Sequence, residues 1–151
     1  MTVPVVRRAA RVLLVDAAGR VLLFEGHDPE RPEAGSWWFT VGGGLDEGES
    51  HREAAARELF EETGLSVAPE TLGAVVLERV ARFSLAGTAY HQQEEFFLAQ
   101  VDEHAVDTAG FTRFEESFVL GHRWWSRTEL RATDDQVFPA ELADLLDRLG
   151  V

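Results

Sequence analysis

The sequence predicts a mixed α/β layered domain, with a hairpin-rich central sheet and helices packed against it. Three observations carry this. Two pairs of β-rich runs are each joined by a short glycine-containing turn. One helix has both of its ends written in the sequence. The last helix carries a leucine stripe.

In chain order, Arg11 to Val15 and Arg20 to Phe24 flank Asp16-Ala17-Ala18-Gly19 and read as a β-hairpin. Residues 26 to 36 hold Gly26, Pro29, Pro32, Gly35 and Ser36, a loop by composition. Trp37 to Val41 is a short aromatic strand, and Gly42-Gly43-Gly44 is expected to break it. Ser50 with Glu53 three residues on is a capping box, so a helix begins there. Ala54 to Thr63 is rich in helix formers, and Gly64-Leu65 ends the run. Leu72 to Leu85 and Tyr90 to Val101 form a second strand pair around Ala86-Gly87-Thr88. Residues 102 to 117 read as acidic and irregular, and His122 to Ser126 as a strand with a turn or helix after it. Phe138-Pro139 opens the final helix, striped by Leu142, Leu145, Leu146 and Leu149. With no repeat or linker, residues 1–151 are expected to make one domain.

Composition excludes several function classes. No cysteine means no disulfide and no thiolate chemistry. A net charge of −13 argues against a nonspecific nucleic-acid binder. It leaves room for a small phosphorylated substrate, because a bound cation inverts the local field. All fourteen basic residues are arginine, which excludes a lysine nucleophile. No membrane-spanning run or secretory signal stands out, so a cytoplasmic protein is expected.

The chemistry concentrates at Glu58, Glu61 and Glu62. At i, i+3 and i+4 these three carboxylates share a helix face and repel one another by a few tenths of a kcal/mol per pair. A helix that needed only solubility would space them out. Carboxylates so placed suit Mg²⁺, which binds substrate phosphates as well. Arg57 lies one turn before Glu61 and can pair with it or with Glu49, holding a carboxylate in orientation. Gly43 sits in a turn where backbone can approach a ligand.

Written as a pattern, Gly43, five residues, Glu49, seven residues and Arg57-Glu58-Leu59-x-Glu61-Glu62-x-Gly64-Leu65 match the Nudix box at every defined position. The chain resembles the Nudix hydrolases of the MutT-like branch. The resemblance implies an α/β/α sandwich and metal-dependent cleavage of a diphosphate linkage by water. It implies Glu58, Glu61, Glu62 and the Gly42 carbonyl as ligands of Mg²⁺ or Mn²⁺. The implied catalytic set is Arg57, Glu58 and Glu61, with Glu58 or Glu61 as candidate base. Some members draw a further acid from a loop near the end of the sheet. Glu115 and Glu116 are the first candidates here, with Glu94 and Glu95 second.

Trp38 and Phe39, entering the glycine turn, are candidates to stack on a nucleobase. Alternation on a strand sends Trp38 opposite to Trp37 and Phe39, so one set belongs to the core. Phe83 and Phe96 are expected to be core residues. The five histidines show no metal-ligand spacing.

The box marks a reaction and leaves the substrate open. The signature of the NADH-cleaving members is missing, and no coenzyme A signature is seen. No proline lies between Pro69 and Pro139, against the ADP-ribose-cleaving pattern. A nucleoside triphosphate or dinucleoside polyphosphate is favoured, with ADP-ribose or another nucleotide sugar as the alternative. A noncatalytic nucleotide sensor on the same fold is the competing class, and intact box glutamates count against it. Family members are often homodimers, and no exposed apolar strip in the sequence decides the state here.

Overall fold

The computed structural model describes residues 3–151. Its strands are β1 (Val5–Val15), β2 (Val21–His27), β3 (Ser36–Gly44), β4 (Leu77–Leu85), β5 (Thr88–Gln100), β6 (Val119–Trp125) and β7 (Val137–Phe138). Its helices are α1 (His51–Thr63), α2 (Arg113–Phe118), α3 (Arg127–Ala132) and α4 (Leu142–Leu149). The strands form one mixed sheet in the order β4-β5-β1-β2-β3-β7, with β6 paired to β2.

The expected β1–β2 hairpin turns but does not zip. Asp16 holds the turn, its carboxylate accepting from the backbone N–H of Ala18 and Arg20. Beyond Val15↔Val21 the strands part and β3 enters between them. The first half of β3 pairs with β2 and its last residues with β1, from Ala9↔Gly44 to Val12↔Val41. β1 also runs parallel to β5 along its whole length. The sheet therefore splits into two wings with a cleft between them.

Helices cover both faces, as in the sandwich that the resemblance implies. On one face Ala54, Ala55, Ala56 and Leu59 of α1 pack on Ala10, Val12, Leu14, Leu22 and Phe24. On the other, Leu142, Leu145 and Leu146 of α4 pack on Leu13, Val15, Leu23, Phe96 and Trp125. Small alanines on α1 let that helix approach the sheet closely, and this brings its glutamates to the edge of β3.

Several expectations need correction. Gly42-Gly43-Gly44 continues β3 and does not break it. A Cβ at Gly42 would sit 2.2 Å from the Ala10 carbonyl oxygen, so β3 reaches β1 only without side chains there. Residues 69–72 form a 3-10 turn, and β4 starts at Leu77 rather than Leu72. Within the stretch read as irregular, Thr112 and Glu115 form a capping box that opens α2. Phe138 belongs to β7, where it pairs with Phe39, and α4 begins at Leu142.

Candidate active site

Helix α1 is built as its sequence dictates. Ser50 and Glu53 make a reciprocal capping box, and Gly64 closes the helix in the left-handed conformation at φ 79°, its N–H bonded to Phe60. Packing of the alanine face sets the rotation of the helix. That rotation buries Glu58 and Glu62, which are 8% and 2% exposed. The Glu61 side chain stays 35% exposed.

Three carboxylates converge. Oxygens of Glu58, Glu62 and Glu115 all lie within 4.8 Å of one another. Glu62 Oε1 accepts from the Gly42 N–H at 2.7 Å, which ties the cluster to β3. Gly43 leaves the space for Glu58, since a Cβ there would fall 2.7 Å from Glu58 Oε1. Glu115 reaches in from α2 while its Oε1 also accepts from the Thr112 N–H at 3.0 Å.

Arg57 organises one side. Its Nε and Nη2 clamp Glu49 at 2.8 and 2.9 Å, and its Nη1 donates to Glu58 at 3.0 Å and Glu61 at 3.1 Å. Nη2 also bonds the Gly44 carbonyl at 3.0 Å. Both expected partners of Arg57 are thus engaged at once. Arg57→Lys keeps the charge but loses the planar fork. Apparent Mg²⁺ affinity in R57K is expected to fall about 10–100-fold, read from a metal titration of activity.

The electrostatics fit a cation. Burial pushes the Glu58 carboxyl up to about 7, against the pull of Arg57 and with further push from Glu115 and Glu61. Burial also raises Glu62 well above the ordinary range, aided by a hydrogen bond with Glu115 and by the charges of Glu58 and Glu115. Among the described residues Glu62 has no arginine or histidine partner. Two buried acids and a third beside them, one with no cation of the protein's own, form a donor set suited to a hard divalent ion.

This has a consequence for stability. Glu58 and Glu62 hold protons more tightly in the folded than in the unfolded chain. The contribution of Glu58 is complete below pH 4.5, the ordinary carboxyl value, and declines as pH rises toward about 7; that of Glu62 declines in the same direction. The loss is on the order of a few kcal/mol. A divalent cation opposes it by neutralising the ionised pair. The gain in Tm on replacing EDTA with Mg²⁺ is therefore expected to be larger at pH 8 than at pH 5.5. A gain equal at both values would count against a cation between these carboxylates.

The cleft beside the cluster has a volume of about 290 Å³, walled by Arg7, Arg11, Phe39, Phe83 and Phe118 among others. Arg11, Phe39 and Phe83 also border a second hollow of about 250 Å³, with Trp37, Arg82 and Phe138 around it. The two hollows share these three residues and adjoin, so aromatic rings wall the cleft beside the carboxylates as well as the hollow beyond it. Phe39, one of the two aromatics considered for base stacking, lines both hollows. Trp38 lies on the opposite face, edge-on to Trp125 at 5.0 Å and bonded to Asp135 at 3.2 Å. Phe83, expected in the core, is half-buried and stacks on Tyr90 at 5.2 Å in the cleft wall. Phe96 is a core residue at 1% exposure.

The remaining candidates divide. Glu116 is exposed and stays out of the cluster. Glu94 is buried, which pushes its carboxyl up, but Arg11, Gln92 and Arg79 outweigh this and hold it below the ordinary range. Its bonds to Arg11 and Arg79 at 2.9 and 2.7 Å make it a strut between β1, β4 and β5. Glu95 faces away, 3.2 Å from His51 Nδ1. The Gly42 carbonyl accepts from Arg11 Nη1 at 3.0 Å. Sequence reasoning missed Arg7 and Arg11. Their signal was the even spacing that puts both on one face of β1.

The model of the NUDIX domain matches residues 5–146. The chain belongs to the NUDIX family. Its NUDIX fold is shared with the MutT protein of Methanosarcina mazei Go1, at a TM-score of 0.69 and 21% identity over 99% of this chain and 96% of that one. A Caenorhabditis elegans Ap4A hydrolase is similar at a TM-score of 0.60 and 18% identity, covering 95% of each chain. The RNA pyrophosphohydrolase of Dinoroseobacter shibae is 44% identical over 61 residues. That match covers 40% of this chain and 36% of the relative, so the likeness spans about a third of the curated relative's length. No helix of the described residues is long and apolar enough to cross a membrane.

Proposed function

We propose that this NUDIX protein hydrolyses the diphosphate linkage of a nucleoside diphosphate derivative with the help of divalent cations. The observation that carries the reading is the convergence of Glu58, Glu62 and Glu115 in a cleft walled by arginines and aromatic rings. When bound, a divalent ion such as Mg²⁺ or Mn²⁺ neutralises the diphosphate and acidifies a water. Glu58, Glu62 and Glu115 are the side chains that would hold it. Glu61, on the same helix face and sharing Arg57 Nη1 with Glu58, stands beside them. Arg57 keeps Glu58 in orientation through the bond at 3.0 Å. Glu58 lines the cleft, whereas Glu61 does not, so Glu58 is the better-situated acceptor for the attacking water's proton.

Trp37, Phe83 and Phe138 offer ring faces for a nucleobase, and Arg82 beside them offers a cation. The names of the relatives, an RNA pyrophosphohydrolase and an Ap4A hydrolase, agree with a polyphosphate substrate. A nucleoside triphosphate or a dinucleoside polyphosphate is the favoured class. The test is a panel of nucleoside triphosphates, dinucleoside polyphosphates and nucleotide sugars with Mg²⁺ or Mn²⁺, reading released phosphate or pyrophosphate. Running it in ¹⁸O-labelled water identifies the attacked phosphorus. No hydrolysis of any compound would favour a nucleotide sensor.

A further inference from the structure

β4 is an edge strand of nine residues with neither proline nor glycine. β5 covers one side of it, and among the described residues no backbone group is bonded along the other. A free edge of this kind is a template for another strand. Which residues it offers follows from the hairpin. Leu85 and Thr88 flank a two-residue turn, with Ala86 at φ 49° and Gly87 at φ 79°. Such a turn is closed by a hydrogen-bonded pair, here Leu85↔Thr88. Bonded pairs alternate along an antiparallel ladder, so Phe83, Ala81, Arg79 and Leu77 bond to β5. The N–H and C=O groups of Glu78, Val80 and Arg82 therefore point outward.

These three residues share one face of the strand. All are exposed, Val80 at 49%. Among the described residues neither Glu78 nor Arg82 has an ion-pair partner, whereas Arg79 on the other face is held by Glu94. The order acid, valine, arginine is self-complementary when the strand meets its own copy antiparallel. With a two-fold axis at Val80, Val80 faces the partner's Val80, and Glu78 faces the partner's Arg82 on both sides of the axis. The facing residues are those whose backbone groups point outward, so each pair also exchanges its main-chain bonds. On the opposite face Leu77 meets the partner's Phe83, an apolar pair beside the aromatic hollow. Other axes fare worse. At Glu78, Arg79 or Arg82 the axis sets like charges against each other, and at Ala81 it leaves Glu78 and Arg82 facing neutral residues.

We propose that β4 is a dimerisation edge, joining two copies of this chain into one continuous sheet about a two-fold axis through Val80. The interface is isologous, so it closes at two copies and leaves no free edge to extend. It does not depend on what the cleft hydrolyses.

The experiment is sedimentation equilibrium over a range of protein concentrations up to about 1 mM. The proteins are wild type, E78R, R82E and the double variant E78R/R82E. Wild type is expected to dimerise. Each single variant places two like-charged pairs across the axis, and its dimer Kd is expected to rise at least about tenfold. The double variant exchanges the charges and restores both pairs, so its Kd should return to within about threefold of wild type. An equimolar mixture of E78R and R82E should also dimerise, since each meets its opposite in the other. Wild type that stays monomeric at every concentration overturns the proposal. So does a dimer that either single variant leaves unchanged, or a double variant as weak as the singles. If a single variant does not fold, V80K decides in its place: it sets two cations on the axis at an exposed position, and a dimer as tight as wild type contradicts the interface.

Discussion

Glu62→Gln is expected to lower kcat by at least about a thousandfold while the protein stays folded. The substitution keeps volume and keeps an oxygen for the Gly42 N–H, which now bonds Glu62 at 2.7 Å. What it removes is one negative charge from a buried site that is 2% exposed. A carboxylate holding a cation against a diphosphate contributes several kcal/mol of transition-state stabilisation, and each 1.36 kcal/mol is tenfold in rate. The metal-free variant should melt no lower than wild type, since burial already disfavours the Glu62 charge. Glu61→Gln is expected to lose less, because Glu61 is 35% exposed and bonded to Arg57. Steady-state kinetics and thermal melts of the two variants side by side check this. Equal losses would mean that Glu61 also acts at the site.

Gly42→Ala should carry the largest stability penalty of any single methyl addition in the site. Gly42 has φ 142°, a conformation that L residues rarely adopt. Its Cβ would meet the Ala10 carbonyl oxygen at 2.2 Å and Arg11 Cα at 2.8 Å, both backbone atoms of β1. Relief would require β3 to leave β1, which opens the cleft. A cost of at least about 3 kcal/mol is expected, or roughly 10 °C in Tm. Gly121→Ala serves as the control, since a Cβ there meets nothing within 4 Å. G42A melting with wild type would mean that this close approach is not needed.

These two residues also mark what could be read in advance. Ser50, Glu53 and Gly64 state the limits of α1 through local hydrogen bonds, and local signals survive folding unchanged. Arg57 sits four residues from Glu61 on that helix, so one of its pairs was visible too. The burial of Glu58 and Glu62 beside a more exposed Glu61 was not, because the packing of Ala54 to Ala56 and Leu59 decides it. Gly42 to Gly44 read as a break by composition, yet their role is to let two backbones touch. The Thr112–Glu115 capping box carries the same signature as Ser50–Glu53 but lay unread in an acidic stretch. With it, Glu115 becomes a residue of a helix rather than of a loop. An aromatic on a strand reads as core, yet Phe83 lies on the edge strand β4 and walls the groove.

On the reading proposed above, a cation among Glu58, Glu62 and Glu115 drives hydrolysis of a phosphoanhydride. Its most direct test is turnover of a nucleoside triphosphate by wild-type protein, first stripped with EDTA and then titrated with Mg²⁺ or Mn²⁺. No turnover is expected in EDTA, with full recovery on adding the metal. Undiminished hydrolysis in EDTA would contradict it.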